Sequence, residues 1–190
     1  FAGYIAKRMG LPIDRLVIAT NHNDILHRAI TTGRYDPSTV TPTITPSMDI
    51  QVSSNFERAL FDAYDRNGEA IVRLMGELKE GGFGINKEAL SILQNYFDSG
   101  RATGKETSLT IKSMFESTGE VLCPHSAVGV KVANESLGTA PMITLATAHP
   151  AKFPDAVDAS MGKRPALPNW LADLFDRSER LTEMPNDLQL

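Results

Sequence analysis

The sequence predicts an α/β fold: a partial parallel sheet flanked by helices, carrying a helical insertion. Three observations lead there. Arg15-Leu-Val-Ile-Ala-Thr20 and Ile143-Thr-Leu-Ala-Thr147 are short apolar runs of the kind buried on both faces of a parallel sheet. The first follows a helical pattern and leads into another, the alternation typical of α/β folds. Between the two runs, from Ser54 to about Gly119, apolar residues recur at helical spacing. The chain is therefore divided into 1–53 and 121–190, both parts of the α/β unit, and 54–120, a helical insertion.

Taken in order, Phe1, Ile5 and Met9, with Ala2 and Ala6 beside them, form one stripe of a helix that Gly10-Leu-Pro12 stops. A helix that opens on the first residue with no cap reads as cut from a longer chain. Next comes the strand 15–20, and then Thr20-Asn-His-Asn-Asp24 at its C-terminal end. Asp24 is placed to cap a helix through Ile25, Leu26 and Ile30 to a stop at Gly33. Residues 35–53, with Pro37, Pro42 and Pro46, form a long irregular connection, and long loops in compact domains are often functional. Phe56, Leu60 and Tyr64 mark a first inserted helix. Ile71, Leu74, Met75 and Leu78 mark a second, ending at Gly81-Gly82. Asn86 opens a third through Phe97, and Thr107 to Phe115 lie in a fourth. His125 to Val132 is a helix with small residues on its packing face. Two strands do not make a stable sheet alone, so the sheet is expected to need partners from elsewhere.

Composition narrows the function classes. The chain has 190 residues, 42% hydrophobic, with a net charge of −4 and a pI near 5.6. Nucleic-acid binders usually show a basic face, so that class is disfavoured. No apolar run approaches the roughly 20 residues that cross a bilayer. The single cysteine, Cys123, excludes an internal disulfide and suits a reducing compartment.

Several residues invite a chemical reading. Thr147 ends an apolar strand, which puts its hydroxyl at the C-terminal edge of a sheet, where ligands of open α/β folds bind. A neutral hydroxyl there can bond a heteroaromatic nitrogen without forcing it to stay protonated; spacing alone favours a simple helix cap. His149 reads as a hydrogen-bonded structural histidine and Lys152 as a solvated cation. The four histidines are scattered, with no Cys or carboxylate at ligand spacing, so no metal site is expected. Asn21 and Asn23 sit at the end of the first strand, either to contact a ligand or to form Asx turns. Ser53, Ser54, Asn55 and Arg58 start a helix, a pattern that can bind an anion and is also a common serine cap. His125-Ser126 opens another helix with a weaker signal of the same kind. Gly81-Gly-Phe-Gly84 separates two helices and reads as a linker. Residue by residue, the sequence reaches an α/β unit with a polar sheet edge.

The ordered segments FAGYIAKRMGLP, RLVIATNHNDIL, SMDIQVSSNFER, PHSAVG and ATAHPAKFP together resemble the C-terminal half of the threonine synthase family. The resemblance spans essentially the whole chain. It implies the tryptophan synthase β-subunit-like fold (fold type II) and pyridoxal 5′-phosphate (PLP) as cofactor. The implied reaction converts O-phospho-L-homoserine and water to L-threonine and phosphate, in the cytoplasm, with no nucleic acid and no membrane involved. It implies that Thr147 faces the pyridine nitrogen of PLP, that Asn21 and Asn23 fall near the ring edge, and that Asn55 and Arg58 lie toward the substrate. The family's Schiff-base lysine and its glycine-rich phosphate loop would lie before residue 1, in an N-terminal half that this chain lacks. None of the eight lysines here matches that lysine, so the chain alone is expected to be inactive. Alternatives left open are another fold type II PLP lyase, such as a dehydratase, and a non-catalytic interaction module derived from one.

Overall fold

Residues 1–187 are described by a computed structural model. Helix α1 (Ala2–Arg8) ends at Gly10, whose φ of 101° is open to glycine without strain. It leads to strand β1 (Leu16–Thr20), helix α2 (Ile25–Thr32) and a left-handed Gly33. Short strands β2 (Arg34–Tyr35) and β3 (Phe83–Gly84) pair antiparallel and flank helices α3 (Phe56–Ala63) and α4 (Gly68–Lys79). Helix α5 (Lys87–Tyr96) runs directly into strand β4 (Phe97–Arg101), then α6 (Gly104–Thr118), α7 (Pro124–Glu135) and α8 (Pro154–Met161).

The parallel pair is β1 with β4, in register from Leu16 opposite Phe97 to Thr20 opposite Arg101. Two expectations need correction. The stretch 54–120 is not wholly helical, because β4 lies inside it and supplies the partner of β1. Phe-Asp-Ser-Gly-Arg has little strand propensity, but a buried apolar strand needs its backbone groups paired, and β4 meets that need. Gly100 lets α7 lie close over the pair: a Cβ there would stand 2.7 Å from Val132 Cγ1.

Conversely, Ile143–Thr147 belongs to no strand. Its residues have the right propensity and no neighbouring backbone to pair with among the described residues. Ile143 and Leu145 are 81% and 72% exposed, while Thr144 lies against α7, where a Cβ on Gly129 would meet its Cγ2 at 2.9 Å. Only Thr144 of the five turns inward, and the ladder is missing.

One core joins α1 to α5 with both strand pairs. Tyr4, Tyr35, Phe56, Leu60, Leu74, Phe83 and Phe97 are buried in it. Tyr35 stacks between Phe56 and Phe83, with ring centroids 5.1 Å from each. Tyr4 packs edge-on against Tyr96, and its hydroxyl donates to Asp62 Oδ2 at 3.0 Å, fastening α1 to α3. A smaller core of Ile111, Ala127 and Val157 ties α6, α7 and α8 together. The two cores meet where α7 crosses the β1–β4 pair, and the start of α7 is where the candidate site lies.

Candidate functional site

At the C-terminal end of β1 the chain turns through Asn21, Asn23 and Asp24. Asn21 and Asn23 are 3% and 4% exposed. Asn21 Oδ1 accepts the N–H of Asn23 at 2.7 Å, an Asx turn. The Asn21 amide donates toward Thr43 Oγ1, Thr45 Oγ1 and Asp49 Oδ1 at 3.0, 2.8 and 2.7 Å. Asn23 donates to the Thr41 carbonyl and to Asp49 Oδ1, each at 2.9 Å, and its oxygen accepts the Thr41 N–H. Asp49 also takes the Thr43 hydroxyl and N–H. Both asparagine side chains are thus committed to shaping the 41–49 loop, and any contact with a ligand would be made through the site they build. Asp24 occupies the N-cap position of α2, but its carboxylate binds Arg28 and Arg101, each at 3.0 Å, in place of backbone N–H groups. Burial alone would raise its pKa; hydrogen bonds from the two guanidiniums outweigh burial and hold it below the usual carboxylate value.

The loop passes from this network to the start of α7. Ser47 N–H donates to Nε2 of His125 at 3.2 Å, so the ring's proton sits on Nδ1, which is buried and has no partner among the described residues. Burial lowers the His125 pKa, Lys152 lowers it further, and Asp49 opposes both. The ring packs 4.5 Å from that of Phe153.

Beside it, Cys123 is the N-cap of α7: its Sγ accepts the Ser126 N–H at 3.3 Å. Pro124 takes the first helical position, where its missing N–H removes nothing. Ser126, 4% exposed, accepts the Thr147 N–H at 3.1 Å, and its Oγ lies 3.2 Å from both Thr147 Oγ1 and Cys123 Sγ. Thr147 itself is exposed. Its hydroxyl rests on a buried Ser–Cys base, and among the described residues no carboxylate or cation is hydrogen-bonded to it. Burial pushes the Cys123 thiol pKa up, but hydrogen bonds from Ser126, Thr147 and the local backbone bring it below the usual thiol value.

The structure therefore links Thr147, Asn21 and Asn23 through Ser126, His125 and the 41–49 loop. His149 is exposed, and its Nδ1 accepts the Ala151 N–H at 3.2 Å, capping a short 3-10 turn at Pro150–Lys152. Lys152 is an exposed cation 5.7 Å over the Phe153 ring. Both agree with the hydrogen-bonded histidine and solvated cation expected at these positions. Asn55 and Arg58 belong to a second place. Arg58 Nη1 donates to Asn55 Oδ1 at 3.2 Å, and the guanidinium lies 5.8 Å over Phe1, on an open groove of about 530 Å³ that also takes in Ser54, Phe61 and Arg66. Sequence reasoning missed the Asp49 network and the Cys123 cap. Cysteine is not among the usual cap residues, and the only available signal was Ser126 three positions on, before an apolar helix.

Residues 126–190 match the family model described as threonine synthase, C-terminal. The threonine synthase of Pseudomonas aeruginosa is 50% identical over 99% of this chain. The structure of PLP-bound threonine synthase from Brucella melitensis superposes over all of it, with a TM-score of 0.95 and 55% identity. This chain matches the C-terminal portion of threonine synthases. It spans 41% of the length of each of those two proteins. The yeast threonine synthase structure agrees at a TM-score of 0.86 and 38% identity, covering 94% of this chain and 40% of that one. The matched threonine synthase segment begins at Ser126, so the hydroxyl pair Ser126–Thr147 falls inside it, and the 41–49 loop lies outside it but within the full-chain matches.

Proposed function

We propose that this chain is the C-terminal part of a PLP-dependent lyase, threonine synthase, which converts O-phospho-L-homoserine and water to L-threonine and phosphate in the cytoplasm. The observation that carries the reading is the likeness, across the whole chain, to a PLP-bound threonine synthase at 55% identity. The residues present fit the cofactor. A neutral hydroxyl on the exposed Thr147, backed by hydrogen bonds made inside the protein, suits a pyridine nitrogen. When bound, PLP supplies an electron sink for carbanions on the substrate.

In this reading Thr147 would hold the ring nitrogen through its hydroxyl and, being neutral, would not require that nitrogen to stay protonated. Asn21 and Asn23 would serve the cofactor's ring edge by fixing the 41–49 loop. Asn55 and Arg58 face the substrate, with Arg58 offering an exposed, fixed cation to an anionic group. The lysine that would link to PLP is supplied from outside these 190 residues, so catalysis belongs to the longer protein and not to this part alone. The experiment is direct. The full-length protein, with and without added PLP, is incubated with O-phosphohomoserine, and threonine and phosphate are measured. Equimolar, PLP-dependent release of both supports the reading. No threonine, with PLP-dependent deamination of threonine in its place, assigns the chain to a dehydratase-like enzyme.

A further inference from the structure

The hydroxyl of Thr147 does not stand alone, and the groups behind it restrict where its proton can go. Three rotatable protons meet here: the Cys123 thiol, the Ser126 hydroxyl and the Thr147 hydroxyl. Their heavy atoms are 3.2 Å (Sγ to Ser126 Oγ), 3.2 Å (Ser126 Oγ to Thr147 Oγ1) and 3.5 Å (Sγ to Thr147 Oγ1) apart. Three backbone donors fix part of the pattern. The Thr147 N–H occupies one lone pair of Ser126 Oγ, and the N–H groups of Ser126 and Ala148 are directed at Sγ. Cys123 and Ser126 are buried, so their protons must find partners inside this set, whereas Thr147 faces out.

Two orders satisfy the buried pair. In one, the thiol donates to Ser126 Oγ, Ser126 donates to Thr147 Oγ1, and the Thr147 proton is free to point outward. In the other, every direction reverses: Thr147 donates inward to Ser126, Ser126 to Sγ, and the thiol back to Thr147, so that only a lone pair faces out. A ligand nitrogen that accepts a hydrogen bond selects the first order; one that carries a proton selects the second. Either way Ser126 sets the rotamer of Thr147, because it holds both the backbone N–H and the side-chain oxygen of that residue.

We propose that Ser126, closed by Cys123, is a positioning residue that orients the Thr147 hydroxyl and directs its proton toward the ring nitrogen of the cofactor. This rests on the reading given under Proposed function. No bond is made or broken; the set only chooses which hydrogen bond Thr147 offers.

The test uses the full-length protein and four variants: Ser126→Ala, Cys123→Ala, Cys123→Ser and Thr147→Val. Three quantities are read: the dissociation constant of PLP, the pH dependence of its absorption when bound, and kcat separately from KM. Loss of a group that orients a metal-binding side chain typically weakens binding or activity roughly 10- to 100-fold, and orienting a hydrogen-bonding hydroxyl is a comparable supporting role. Ser126→Ala is expected at about the lower end of that range, with a displaced absorption–pH profile, a fall in kcat and little change in KM. Cys123→Ser, which keeps a donor and acceptor in place, is expected to resemble wild type. Cys123→Ala is expected to move in the direction of Ser126→Ala. If Ser126→Ala loses only thermal stability, and its PLP affinity, absorption profile and kcat match wild type, the proposal is overturned. Should that variant not fold, the Cys123 pair decides: identical cofactor spectra for Cys123→Ala and Cys123→Ser would also overturn it. Failure of the underlying reading looks different. In that case Thr147→Val as well leaves PLP affinity and spectrum unchanged, or wild type binds no PLP at all.

Discussion

Asp49 is the hub of the loop that the two buried asparagines hold, and removing its carboxylate should open that loop. In Asp49→Ala, four hydrogen bonds disappear, of 2.7 to 2.9 Å. Not all four donors become orphans. The Asn21 amide keeps Thr43 and Thr45, and the Thr43 hydroxyl keeps Thr45. The Thr43 N–H and one N–H of Asn23 lose their acceptor. An unsatisfied buried donor costs about 1–3 kcal/mol, and water can reach Thr43 in part, so a loss of roughly 3 kcal/mol is expected. At 1.4 kcal/mol per factor of ten, the open loop would become on the order of 100 times more populated. Limited proteolysis measures this: where opening is fast relative to cleavage, the cutting rate between residues 35 and 53 follows the open population. Asp49→Asn, which keeps one oxygen but turns an N–H toward Thr43, should fall between wild type and alanine. A cutting rate within twofold of wild type for Asp49→Ala would refute the claim that this network holds the loop.

Other predictions follow from the same structure. His125 has a folded pKa below its ordinary value, near 6.5, because burial disfavours the charged ring. Its contribution to stability is therefore complete above about pH 6.5 and is lost as pH falls through the window down to the folded value. Melting temperature recorded against pH should decline there in wild type and decline less in His125→Gln; equal slopes would contradict this. The Thr103–Glu106 capping box of α6 should weaken by about 1 kcal/mol in Thr103→Ala, seen as a lower melting temperature. Glu106 is pulled down to about 2, first by the Thr103 N–H and hydroxyl, so the cap is fully formed above its ordinary value of 4.5 and lost only as pH falls toward about 2. Gly100→Ala would drive a Cβ into Val132, and overpacking of this kind costs about 1–3 kcal/mol; an unchanged melting temperature would mean that α7 sits more loosely on the sheet than described.

Where the sequence speaks clearly it does so through periodicity and punctuation. The helix from Asp24 to Gly33 and the strand before it were legible because β-branched runs, a cap position and a left-handed glycine all agree. Asn67 and Asn86 cap α4 and α5 by accepting from the third residue on, as such residues do at helix starts. Strand β4 was hidden because Phe-Asp-Ser-Gly-Arg earns its conformation from β1 opposite it and not from its own propensity. Ile143–Thr147 misled for the mirror-image reason: its propensity is that of a strand, but pairing is a property of two segments, and the second is not among the described residues. Of the candidate site, Thr147, Asn21 and Asn23 stand out in the sequence as polar groups at the ends of apolar runs. Their supports, Asp49, Cys123 and Ser126, are 21 to 28 positions away in sequence and meet them only once α7 and the loop are folded.

The central claim is that Thr147 serves the ring nitrogen of PLP in the full-length protein. The measurement that tests it most directly is threonine formation by wild type and Thr147→Val, each with its bound PLP quantified. The account predicts that the valine variant retains PLP yet loses most of its threonine-forming rate. A valine variant as active as wild type would reduce Thr147 to a residue hydrogen-bonded to the start of α7, and the site assignment would fail with it.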